Sequence, residues 1–180
     1  MNIQSFVADG KDYRRAGSLL LEAKTNQRDK PDEKDCTSLI DDILFEPGGD
    51  YRGKTFVEAR TPTGQLCGVA IFDNHGDDDI FVEFLCSDCP GTGKQIVDEL
   101  VRLGRTLGKA YVRLTSVPRS VGFYMKVGFE QDPDASVPVS GKNLRLSTAP
   151  KAGRRAYRRR KSRRHGSASL RRHKTRRVFP

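Results

Sequence analysis

The chain has no tryptophan, two methionines and four cysteines in 180 residues. Four cysteines (Cys36, Cys67, Cys86 and Cys89) are too few to staple a fold of this length, so a hydrophobic core must carry it. Free thiols or a metal site are therefore expected in preference to disulfides. No stretch approaches the ~20 apolar residues needed to span a bilayer, and the opening MNIQSFVADGKDYRR lacks the apolar core of a secretory signal. No membrane partner is expected, and the reading is of an intracellular rather than a secreted protein. The most informative absence is of acid. Residues 151–180 hold no Asp or Glu and 14 Lys+Arg, which leaves 19 basic residues against 23 acidic ones in residues 1–150. The net charge of +10 and the isoelectric point near 9.7 belong to the tail. The body is mildly acidic, as an ordinary globular domain is.

What is present reads as one domain over residues 1–148 and a disordered arginine-rich tail over 149–180. Hydrophobic spacing predicts a strand at 2–8 and a helix at 13–23, where Tyr13, Ala16, Leu19, Leu20 and Ala23 share a face. A polar loop at 25–34 and a second helix at 36–45 follow. Strands are expected at 54–60, 65–72 and 80–86, joined by Gly-containing turns. A helix at 94–107, a strand at 111–114, a short helix at 120–127 and a last strand at 142–147 complete the order. A three-strand meander followed by a βαβ unit predicts an α/β fold with a mixed, mostly antiparallel sheet and helices on both faces.

Between the third meander strand and its helix lies Pro90-Gly91-Thr92-Gly93-Lys94. It fails the P-loop pattern, since Asp88 takes the first glycine position and Gln95 follows the lysine. It fails the dinucleotide fingerprint as well, since Ile96 replaces the third glycine. A plain strand-to-helix turn accounts for these residues. So does a phosphate cradle, because glycines let backbone N–H groups approach a ligand at the positive end of a helix.

The strand Ile80-Phe-Val-Glu-Phe-Leu-Cys86, this turn, and the later Val121-Gly-Phe-Tyr-Met-Lys-Val-Gly-Phe129 together resemble the GCN5-related N-acetyltransferase (GNAT) family. That family pairs a Q/R-x-x-G-x-G/A turn with a downstream F-Y-x-K-x-G-F segment, and the order of elements agrees over roughly residues 2 to 147. The resemblance implies transfer of an acetyl group from acetyl-CoA to a primary amine of an unidentified acceptor, a protein or a small molecule. Gly91, Thr92, Gly93 and Lys94 would hold the pyrophosphate, the backbone of Leu85, Cys86 and Ser87 would pair with the pantetheine arm as an added strand does, and Lys126 of the downstream segment would assist. Asp88 stands where the family has Gln or Arg, and Val117 where many members carry Asn.

By the same resemblance Tyr124 would be the general acid that protonates the leaving thiolate, and Glu83 the base that takes a proton from the amine; from spacing alone, Phe123 and Tyr124 equally read as residues that pack a short helix. Glu83 sits in an otherwise apolar run, and alternation would set it on one face with Phe81 and Leu85; a solvated residue on an exposed strand face is the plain reading. Cys86-x-x-Cys89 with Cys67 and His75 makes a poor zinc set, because there is no second close pair, and the Asp73–Asp79 run lacks a calcium-loop pattern. No metal is expected.

In the tail, Arg154, Arg155, Arg158, Arg159, Arg160, Lys161, Arg163, Arg164, Arg171, Arg172, Lys174, Arg176 and Arg177 form a polycation suited to phosphates. DNA or RNA is the expected partner, and a solubilising or nuclear-import role is the alternative. The composition resembles the arginine-rich ends of viral core and minor virion proteins, which would place the protein in a nucleus or a virion. A catalytically inactive GNAT-like packaging protein is the competing functional reading.

Overall fold

The structure, a computed structural model, describes residues 1–27, 38, 40, 41, 43, 44, 51–74, 76–135 and 141–149. The chain divides into two units, Met1–Thr148 and Ala149–Pro180. In the first, seven strands form one sheet: β1 (Asn2–Val7), β2 (Thr55–Arg60), β3 (Leu66–Asp73), β4 (Asp79–Ser87), β5 (Tyr111–Ser116), β6 (Glu130–Gln131) and β7 (Lys142–Ser147). Their order across the sheet is β1-β2-β3-β4-β5-β7-β6, and among the described residues only β4 and β5 run parallel. The helices whose full extent is described are α1 (Asp12–Gln27), α2 (Thr92–Thr106) and α3 (Val121–Lys126), the last entered through a 3-10 turn at Pro118–Ser120. The mixed, mostly antiparallel α/β sheet expected from the sequence is therefore present.

Two buried clusters cover the two faces. On one, Ile96, Val97 and Leu100 of α2 pack with Ile80, Val82, Val112, Leu114, Leu144 and Leu146 from the strands. On the other, Ala16, Leu19, Leu20 and Ala23 of α1 pack with Phe56, Val69, Ile71 and Phe84. Each fully buried Leu, Ile or Phe contributes roughly 1.5–3 kcal/mol, which is how short amphipathic helices hold without strong caps.

Several boundaries differ from the sequence expectation. Helix α1 runs on to Gln27 instead of yielding to a loop at 25. The polar residues there have partners: Thr25 Oγ1 donates to the carbonyl of Leu21 (2.9 Å), and Asn26 reaches the carbonyl of Leu66 (3.4 Å). Polarity at that point marked the helix's outer face. Strand β5 extends two residues past 114, and the two-residue β6 was not foreseen, being too short to carry a period. Of the helix expected at 36–45, Ser38, Ile40, Asp41, Ile43 and Leu44 are helical and the rest lies outside the described residues, as do His75 and the tail arginines and lysines.

The largest correction concerns β4. Ile71 pairs with Phe84 but its neighbour Phe72 pairs with Val82, so Glu83 is an extra residue in β4, a bulge. Its consequence is visible in the packing. Ile80 and Val82 face α2, whereas Phe84 and Cys86 face α1. Phe81 and Leu85 therefore lie on opposite faces, and Glu83 does not share one face with both.

Candidate active site

The glycine turn joins β4 to α2. Gly91, the residue before the helix, has φ +79°, a left-handed conformation that favours glycine, and a Cβ there would point into open space. Gly93 is needed for a different reason. A Cβ on it would lie 3.0 Å from Phe123 Cζ and 3.0 Å from Ser87 Oγ. The two segments singled out from the sequence thus meet physically: the Phe123 ring closes over the turn.

The first amides of a helix have no acceptor within it, so those of Gly93 and Lys94 are available to an anion. Beside them Thr92 is fully buried and its Oγ1 has no hydrogen-bond partner. An orphaned hydroxyl, open space over Gly91 and a helix N-terminus together fit a phosphate group. Lys94 is turned along the helix toward Asp98 and stays exposed. Lys126 is also exposed, in the last turn of α3.

The cysteines overturn the expectation of free thiols. Cys67 and Cys89 form a disulfide across a separation of 22 residues, with Cα atoms 5.2 Å apart. Cys86 is disulfide-bonded too. The reason is topological: β3 and β4 are antiparallel neighbours, and as the chain leaves β4 the amides of Asp88 and Cys89 both point at the carbonyl of Cys67 (2.8 and 3.5 Å). Residues far apart in sequence are delivered into bonding range. The bond anchors the glycine turn to β3.

Below the turn, β4 and β5 separate. Their pairing runs from Asp79–Tyr111 to Val82–Leu114 and stops, although both strands continue. The edge of β4 from Glu83 to Ser87 that faces β5 is therefore unpaired by β5, which includes Leu85, Cys86 and Ser87. A cleft of about 80 Å³ occupies the gap, lined among others by Glu83, Leu85, Ser116, Val117, Arg119 and Tyr124. A second cavity of about 320 Å³ adjoins it, sharing Leu114 and Thr115 and bounded by Phe81, Arg113, Asp132 and Asn143.

Tyr124 is 8% exposed, wedged edge-on between Phe123 (5.1 Å) and Phe129 (5.3 Å). Burial pushes its phenol up to about 12, so at neutral pH the hydroxyl keeps its proton and can donate it. Glu83 is a solvated residue on the strand, as the plain reading has it. Its carboxylate is partly exposed and receives both oxygens' worth of contact from Lys54 Nζ, at 2.6 Å from Oε1. Lys54 stands just before β2 and reaches across β3. Sequence reasoning missed it, because only the sheet order β2-β3-β4 brings it near. Val117 is extended (φ −61°, ψ 149°) ahead of Pro118 and lines the cleft through the loop where the Asn of the motif is absent.

With the geometry in place, comparison with solved structures is direct. Tetrahymena GCN5 superposes with a TM-score of 0.63 at 15% identity, covering 83% of this chain and 98% of that one. The catalytic domain of the same GCN5 histone acetyltransferase in complex with coenzyme A gives 0.58 at 14%, covering 83% and 94%. A GNAT-family acetyltransferase from Listeria monocytogenes gives 0.56 at 13%, covering 81% and 94%. No protein-family model and no curated sequence matches the chain. The fold is that of the GNAT acyl-CoA N-acyltransferases.

Proposed function

We propose that the chain is an N-acetyltransferase that moves an acetyl group from acetyl-CoA to a primary amine. The observation that carries this reading is the parting of β4 and β5 directly below the glycine turn, with Glu83 and Tyr124 lining the same gap. The pyrophosphate would rest on the Gly91–Lys94 turn, and the pantetheine arm would lie along the unpaired edge of Leu85, Cys86 and Ser87. Acetyl-CoA supplies an activated thioester carbonyl. Glu83 takes a proton from the acceptor ammonium, the amine nitrogen bonds to that carbonyl carbon and sheds its second proton to solvent, and the carbon–sulfur bond breaks. Tyr124, protonated throughout the neutral range, gives its proton to the departing thiolate. The larger cavity beside Phe81 and Arg113 offers room for the acceptor's remainder.

The arginine-rich tail, on composition alone, serves to hold DNA or RNA, and steep loss of binding with added salt is its signature. Nuclear or virion-associated residence goes with that role. The second reading, a GNAT-like packaging protein without chemistry, is favoured by Asp88, a carboxylate next to the phosphate turn. Titration of the full chain with acetyl-CoA, followed by assay of thiol release across a panel of primary amines, separates the two. Saturable binding with amine-dependent thiol release supports the enzyme; no saturation at millimolar acetyl-CoA would sink it.

A further inference from the structure

Lys54 places a primary ammonium on the carboxylate that the acetyltransferase reading uses as its base. The contact is made by both Glu83 oxygens, at 2.6 Å for Oε1. Neither side chain is sealed away: Lys54 is 23% and Glu83 28% exposed. The backbone of Lys54 is fixed, since its carbonyl accepts from the amide of Ala8 (2.9 Å) and its amide donates to the carbonyl of Tyr51 (3.2 Å). The freedom lies in the side chain, a four-carbon stem with a rotatable head. A tethered amine beside a catalytic base has the high effective concentration of an intramolecular reactant.

We propose that Lys54 is an acetylation site of the protein itself, modified from its seat on Glu83 at the rim of the cleft. The proposal rests on the acetyltransferase reading and deepens it by naming an acceptor. The ammonium of Lys54 gives one proton to Glu83 and its nitrogen bonds to the acetyl carbonyl carbon. The carbon–sulfur bond of acetyl-CoA breaks and the thiolate takes the Tyr124 proton, leaving CoA thiol and Nε-acetyl-lysine. The second ammonium proton and the one held by Glu83 pass to solvent, and Tyr124 regains one from solvent, so that one proton is released net. The product has lost the positive charge at position 54, so Glu83 is released from its ion pair and becomes available to an external amine.

The test incubates the full 180-residue chain with acetyl-CoA and no added amine, then maps acetylated lysines by peptide mass spectrometry over time. The expected result is acetylation of Lys54 roughly a hundred-fold faster in the parent than in Tyr124→Phe. Glu83→Gln, a second variant of similar shape, is expected to slow it likewise, with melting curves confirming that both fold. Mixing Lys54→Arg chains with Tyr124→Phe chains decides the geometry: the latter stay unmodified if the reaction is internal. Equal rates in parent and Tyr124→Phe would mean uncatalysed chemistry and would overturn the proposal, as would acetylation in the mixed sample. A parallel arm with Nα-acetyl-lysine amide as external probe keeps the two claims apart. Transfer to the probe with Lys54 untouched overturns the self-acetylation alone, whereas transfer to neither overturns the acetyltransferase reading with it.

Discussion

The glycine turn and the cleft below it are made in opposite ways. The turn is local: Gly91 adopts φ +79°, Gly93 admits the Phe123 ring, and α2 begins at once, all within residues 89–93 apart from that one ring. The cleft is assembled from distant pieces. Glu83 reaches it through a bulge set by pairing with β3 and is met there by Lys54 from across a strand, and Tyr124 comes from α3. Binding geometry that a short segment encodes can be read from that segment. Chemistry that requires several strands to be in register cannot.

The strongest way to break this contrast is to cut the covalent tie between the turn and β3. Replacing Cys67 and Cys89 with serine removes the closure of a 22-residue loop, worth about 3 kcal/mol in the chain-entropy account. The expected outcome is a loss of that order in denaturant unfolding, together with weaker acetyl-CoA binding measured by calorimetry. A stability loss with unchanged affinity would show that the turn is self-sufficient.

On the cleft side, Tyr124→Phe keeps the edge-on ring packing with Phe123 and Phe129 and removes only the hydroxyl. Turnover should fall about a hundred-fold while acetyl-CoA affinity holds; unchanged turnover would remove Tyr124 from the chemistry. The same residue gives a pH test. Its phenol is raised from 10.0 to about 12 by burial, so its contribution to stability is complete below pH 10 and is lost as pH rises through 12. Two units amount to roughly 2–3 kcal/mol. Unfolding free energies measured between pH 9 and 12 should decline less in Tyr124→Phe than in the parent.

How far the sequence was legible follows the same divide. The α1 stripe of Ala16, Leu19 and Leu20 and the α2 stripe of Ile96, Val97 and Leu100 are buried as their spacing predicts, because helical period is a local property. The meander was legible from its Gly-containing turns. The Glu83 bulge was not, since a run such as Ile80-Phe-Val-Glu-Phe-Leu-Cys86 alternates in the same way with or without an inserted residue. The disulfide was missed because cysteine count is a statement about composition, whereas Cys67 meets Cys89 through the register of β3 on β4. Lys54 carried no signal at all, one lysine among many until the sheet order put it on Glu83.

The finest test uses the two glycines of the turn against each other. At Gly91 a methyl group meets nothing within 4 Å, so alanine there costs only the left-handed backbone, about 1 kcal/mol, or a few degrees of melting temperature. At Gly93, inside α2, the helical backbone accepts alanine readily, but the methyl group meets Phe123 and Ser87 at 3.0 Å. The ring must then give way by a few tenths of an ångström. Gly91→Ala should therefore lower the melting temperature slightly and leave acetyl-CoA affinity nearly intact. Gly93→Ala should weaken affinity more than its own melting shift would suggest. If both glycines behave alike in the two measurements, the approach of Phe123 is incidental, and the turn needs nothing from the rest of the fold beyond its anchor to β3.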